Sequence, residues 1–168
     1  MKNIILIGFM GTGKTTVGKE LARIKGMDFL DMDLELEKKE NKTINQIFKE
    51  HGESYFREKE SDLLKEISCL ENTIISTGGG IIENERSAKV LKNMKTVIWL
   101  DGNVNTIVNN LENEIDKRPK LKDINDLKNY IQELLNHRYE KYRKCSDIKI
   151  NIDDKNIVQV VREILVYI

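Results

Sequence analysis

One proline, two cysteines, two histidines and one tryptophan are spread over 168 residues. Each scarcity removes a class of function. Cys69 and Cys145 have no partner at metal-ligand spacing, nor do His51 and His137, so neither a zinc site nor a disulfide scaffold is expected. The two thiols read as small half-buried side chains in a reducing cytosol. Charge of one sign is also missing: 28 basic residues balance 28 acidic ones. Nothing in that balance favours nucleic acid or an anionic membrane. No apolar run approaches the roughly 20 residues that cross a bilayer. The apolar residues 4–10 behind Lys2 are too few for a signal peptide, and no small-residue cleavage site follows them, so a cytoplasmic location is expected. Internal repeats and low-complexity tracts are absent. A chain of this length suggests one domain, able to bury about 70% of the surface its unfolded form exposes.

What the chain does contain is Gly8-Phe9-Met10-Gly11-Thr12-Gly13-Lys14-Thr15, spaced G-x-x-x-x-G-K-[ST], directly after Ile4-Ile5-Leu6-Ile7. The glycines let the backbone curl so that N–H groups face phosphate oxygens. Lys14 can reach the outer phosphates, and the Thr15 hydroxyl can ligate Mg²⁺. Val17, Leu21 and Ile24 share one helical face, so a helix should begin here and aim its positive end at the anion. The plain alternative is a glycine turn with an incidental lysine.

Strand-like runs at 4–7, 27–31, 73–77, 96–100 and 148–152 alternate with helical patterns. The helices fall at 14–25, 33–50 with a break, 53–69, 83–93, 103–113, 124–143 and 155–167. That alternation predicts an α/β fold with a parallel sheet covered on both faces. Ligands of such sheets gather at the strands' carboxyl ends. Two candidate groups besides the glycine loop fall there. Asp31 and Asp33 can divide between Mg²⁺ and an attacking hydroxyl, or can simply cap the next helix. Gly78, Gly79 and Gly80 either admit a small molecule against bare backbone or form a flexible turn. Arg57 shares a helical face with Glu60, which can hold its guanidinium. Arg57, Arg118 and Arg138 offer forks that match carboxylate or phosphate. Arg118 lies beside Pro119 in a charged segment, 112–123, that suits a lid.

GFMGTGKTT, FLDMD, FREKE, GGG, RP and HRYEKY, in that order, resemble the shikimate kinase family across essentially the whole chain. The resemblance implies a P-loop NTPase of the nucleoside-monophosphate-kinase-like type, with a five-stranded parallel sheet in the order 2-3-1-4-5 flanked by helices. It implies a single kinase domain over 1–168, with an acceptor-binding insertion at about 33–62 and a lid at about 112–123. The implied reaction moves the γ-phosphoryl of ATP to the 3-hydroxyl of shikimate with Mg²⁺; a cytoplasmic monomer is the default expectation. Gly11, Thr12, Gly13, Lys14, Thr15 and Thr16 would cradle the phosphates. Thr15 would ligate Mg²⁺, with Asp31 supporting it through water. Asp33 would hold the acceptor hydroxyls and serve as base. Arg57 and Arg138 would grip its carboxylate, and Gly78, Gly79 and Gly80 would contact it through backbone. Lys14 and Arg118 would neutralise the moving phosphoryl. Glu60 would brace Arg57, and Phe48 and Phe56 would wall the acceptor pocket. The lid reads Arg118-Pro119-Lys120-Leu121, where the family usually has two leucines after the proline. Two further readings stand beside this one: another small-molecule P-loop kinase, for gluconate or a nucleoside monophosphate, and a nucleotide-dependent switch. Asn41-Lys42-Thr43-Ile44 lacks the aspartate that a guanine-reading switch needs.

Overall fold

Ile4–Gly8 (β1) has no polar face, and all five of its residues are buried, as a strand covered on both sides must be. In the computed structural model, which describes residues 2–112 and 126–168, β1 is the middle strand of a parallel sheet. The others are Asp28–Asp31 (β2), Thr73–Ser76 (β3), Val97–Asp101 (β4) and Ile148–Asn151 (β5), in the order β2-β3-β1-β4-β5. This is the P-loop kinase order that the resemblance implies. Register pairs Ser76 with both Leu6 and Asp31. The carboxyl ends of β1, β2 and β3 therefore finish together, and the three segments that follow them are brought to one edge.

Helices cover both faces. They are Lys14–Lys25 (α1), Met32–Glu40 (α2), Ile44–Ile67 (α3), Glu85–Asn93 (α4), Val104–Glu112 (α5), Leu127–Cys145 (α6) and Ile157–Leu165 (α7). The pleat sends alternate residues of β1 to opposite cores. Ile5 and Ile7 meet Met32, Phe56, Leu64 and Tyr142, while Ile4 and Leu6 meet Val17, Leu21, Val161 and Ile164. A third cluster, Phe9, Ile107, Leu111 and Ile131, packs the glycine loop against α5 and α6. Truncating any of these fully buried aliphatic residues to Ala should cost about 2–5 kcal/mol, so the site stands on a stiff base.

One expected break is found, and two other boundaries differ from expectation. The break expected inside 33–50 falls at 41–43, where Asn41 turns left-handed at φ 49°. Thr43 and Gln46 then form a capping box that starts α3. α3 runs on past the expected division at 50–53 and only kinks there, at Gly52 (φ 80°, ψ 174°). The helix expected from 83 begins instead at Glu85, capped by Asn84, after a 3-10 turn over Ile81–Glu83. Residues 113–123 of the expected lid, including Arg118 and Pro119, lie outside the described residues. Among the described residues no helix is long and apolar enough to cross a membrane.

Candidate active site

Gly11 and Gly13 hold left-handed backbone at φ 78° and 80°, a conformation that disfavours side chains. Gly13 caps α1 without any side-chain hydrogen bond, so the first-turn N–H groups are offered to an anion rather than to a capping side chain. Lys14 is buried, and its ammonium donates to the carbonyl oxygens of Gly8 and Phe9, each at 2.8 Å. It thus lies along the loop that precedes it. Asn110 of α5 donates to the Gly11 carbonyl at 2.8 Å.

The Thr15 hydroxyl donates to Asp31 Oδ2 at 2.7 Å. Asp31 Oδ1 accepts from the N–H groups of Asp33 (3.1 Å) and Leu34 (3.3 Å). Asp31 therefore caps α2 through Oδ1, as one sequence reading had it, while its Oδ2 accepts from the threonine expected to ligate Mg²⁺. Asp33 is not the cap; it lies in the first turn of α2. A hydroxyl and a carboxylate oxygen side by side are hard donors suited to Mg²⁺, which keeps waters and phosphate oxygens for most of its shell. Among the described residues no group of three His, Cys, Asp or Glu side chains could hold a metal, so phosphate and water would have to complete such a site.

The three glycines after β3 are there for space. None of them has positive φ. A Cβ on Gly78 would lie 2.6 Å from Glu60 Oε1 and 2.9 Å from Asp33 Oδ1. One on Gly79 would lie 3.0 Å from the Met10 backbone nitrogen, and one on Gly80 only 2.2 Å from Arg57 Nη2. Each absent side chain makes room for a different neighbour. The flexible-turn reading is thereby replaced by a packing one.

Arg57 Nη1 donates to Glu60 Oε2 at 2.7 Å, and its Nε and Nη2 reach Glu53 Oε1 at 3.3 and 3.2 Å. Glu60 is almost fully buried, and among the described residues its Oε1 has no hydrogen-bond partner. Burial, opposed by Arg57 and reinforced by the charge of Asp33, pushes its carboxyl up to about 7. Phe48 and Phe56 stack with centroids 4.7 Å apart. Arg138, also buried, lies over the Phe9 ring at 5.6 Å and donates through Nε to Glu83 Oε1 at 2.7 Å. Burial would raise the Glu83 carboxyl, but hydrogen bonds from Lys141 and Arg138 hold it down at about 2. Tyr142 donates to the Gly79 carbonyl oxygen.

Two clefts result. One, of about 750 Å³, is lined by Gly11, Gly13, Lys14, Thr15, Thr16 and Asp31. The other, of about 540 Å³, is lined by Phe48, Phe56, Arg57, Glu60, Gly80 and Arg138. Met10, Asp33 and Gly79 line both. Except for Arg118, which lies outside the described residues, every candidate is thus brought to one or other cleft or to its immediate wall. Sequence reasoning missed Glu83, Tyr142 and Phe9. Only the spacing of Tyr142, four residues after Arg138, could have pointed to one of them.

Comparison with known proteins agrees with this geometry. A family model described as shikimate kinase matches residues 10–168. A shikimate kinase from Sulfurihydrogenibium sp. (strain YO3AOP1) is 44% identical over 165 residues, which cover 98% of this chain and 96% of that one. The solved shikimate kinase from Acinetobacter baumannii, in complex with shikimate, aligns with a TM-score of 0.91 at 33% identity, over 98% of this chain and 91% of that one. A gluconokinase from Sinorhizobium meliloti 1021 reaches a TM-score of 0.56 at 13% identity, over 98% of this chain and 90% of that one, which shows a common fold alone. With the family model spanning nearly all its length and a close relative matching end to end, the chain belongs to the shikimate kinase family.

Proposed function

We propose that this protein transfers the γ-phosphoryl of ATP to the 3-hydroxyl of shikimate, giving ADP and shikimate 3-phosphate on the way to chorismate and the aromatic amino acids. The observation that carries this reading is the pair of clefts with Asp33 and Gly79 in common: an anion cradle adjoins a cavity with one buried and one half-buried arginine and an aspartate. That second cavity suits a small polyol with one carboxylate. Arg57 and Arg138 grip the carboxylate, and Asp33 orients the hydroxyl and accepts its proton. The hydroxyl oxygen attacks the γ-phosphorus in line while the bond to the β,γ-bridging oxygen breaks. Lys14 and the N–H groups of Gly11, Thr12, Gly13, Thr15 and Thr16 hold the phosphates. Mg²⁺ bound by Thr15, with Asp31 behind it, would neutralise β,γ-phosphate charge. Arg118 is assigned to the transferring phosphoryl on the family pattern, within a lid at about 112–123. The insertion at about 33–62 supplies Asp33, Phe48, Phe56, Arg57 and Glu60 to the acceptor side. We assign the chain as one kinase domain, cytoplasmic and monomeric, acting on ATP and shikimate without nucleic acid or membrane.

A coupled assay for ADP release, run with shikimate, gluconate and nucleoside monophosphates, tests the assignment. Shikimate alone should stimulate turnover. Stimulation by gluconate or a nucleotide in its place overturns it.

A further inference from the structure

The glycine turn and α6 meet along one face of the helix. Arg138, Lys141 and Tyr142 stand at i, i+3 and i+4 and so project to the same side. Tyr142 bonds the Gly79 carbonyl oxygen, while Arg138 and Lys141 take one oxygen each of Glu83. Glu83 closes the short turn after the glycines, its own N–H donating to the Gly80 carbonyl at 2.9 Å. One carboxylate therefore ties two cations to the rim of the acceptor cavity.

The charge count argues against a plain tie. A carboxylate paired with arginine alone would cancel the pull that an anionic ligand needs. Here Lys141 supplies a second positive charge, so the trio stays cationic. His137 Nε2 lies 3.5 Å from the same carboxylate. Arg138 is held by two neighbours, the Phe9 ring that its guanidinium lies over and Glu83 at Nε. Arg138 lines the cavity, where its planar fork can offer donors to an anion.

We propose that Glu83 is a positioning residue for the acceptor's carboxylate: it sets the Arg138 guanidinium, and Lys141 offsets its charge so that Arg138 keeps its attraction. The proposal rests on the cavity being the shikimate site. A tie that merely fastened the turn to α6 would act on every ligand alike. A positioning role acts only on an anionic one.

The test uses the full chain with Glu83→Ala, Glu83→Gln and Lys141→Met. Steady-state kinetics with shikimate and ATP are combined with calorimetric binding of shikimate and of its carboxamide, in which the carboxylate is a neutral amide. Glu83→Ala should raise the KM for shikimate about tenfold, the scale of one charge-assisted hydrogen bond, with the KM for ATP within about twofold. Glu83→Gln, which keeps an oxygen for Arg138, should recover part of the loss. Lys141→Met should also weaken shikimate, because Glu83 then neutralises Arg138. Carboxamide binding should change by less than about twofold in all three. Equal losses for both ligands, an effect on kcat alone, or an unchanged shikimate KM in Glu83→Ala overturns the proposal. If the carboxamide does not bind the parent protein, Lys141→Met decides, and an unchanged shikimate KM there refutes it. A parent protein that ignores shikimate fails the functional assignment instead.

Discussion

Glu60→Gln should flatten the pH dependence of stability between about pH 4.5 and 7. The Glu60 carboxyl is raised from 4.5 to about 7 in the fold, chiefly by burial. In that window the folded chain keeps a proton that the unfolded chain has released. Stability therefore falls as pH rises from 4.5, and levels off above about 7. At roughly 1.4 kcal/mol per unit, the shift of about 2.5 units corresponds to about 3 kcal/mol. Gln has the same shape, keeps an oxygen for Arg57 Nη1 and cannot titrate. Urea unfolding at pH 5, 6, 7 and 8 would give two curves of stability against pH. The parent should lose about 2.5 kcal/mol more than the variant across the series. The depressed carboxyl of Glu83 acts in a separate window, because its contribution is lost only as pH falls below 4.5 towards about 2. Parallel curves for parent and variant from pH 5 to 8 would refute the argument, and with it the claim that the Glu60 pocket is dry enough to hold a proton near neutrality.

Gly80→Ala should raise the KM for shikimate by about tenfold or more with a melting temperature within a few degrees of the parent, because the new Cβ displaces a side-chain tip, Arg57 Nη2, rather than backbone. Gly79→Ala meets the Met10 backbone nitrogen instead, so it should lower both thermal stability and the apparent affinity for ATP. Lys14→Ala and Asp33→Asn should each cut turnover by about a hundredfold or more while circular dichroism stays unchanged; near-normal turnover in Asp33→Asn would remove its role as base. Asp31→Asn should raise the Mg²⁺ concentration needed for half-maximal activity, since its Oδ2 holds the Thr15 hydroxyl.

The features legible in the sequence are those written locally. β1 and the loop behind it declare themselves through an unbroken apolar run and fixed glycine spacing, and α1 through its apolar face. The capping box at Thr43 and Gln46 is equally local and lies within the range where a break was expected, although the surrounding charge left its position unspecified. Asp33, Arg57 and Arg138 gain meaning only once β2, α3 and α6 converge, which is why their individual motifs were weak and their order was informative. Glu83 and Tyr142 act on partners 55 and 63 residues away. No window along the chain contains those pairings. The glycine triplet is the instructive case. Its φ angles need no glycine, and the reason for it lies in Glu60, Met10 and Arg57, which the linear chain keeps remote.

Asp33 and Gly79 belong to both clefts, so under the proposed function nucleotide and acceptor share a wall. A group that fills one cleft and shifts either residue changes the other cleft's affinity by some factor. Thermodynamics then requires the same factor in reverse. Selecting a different acceptor by substitution at these two positions would therefore alter nucleotide binding as well, whereas substitution at Phe48 or Arg138 would not carry that tax. On that assignment, the wall between donor and acceptor would also be the channel through which each senses the other.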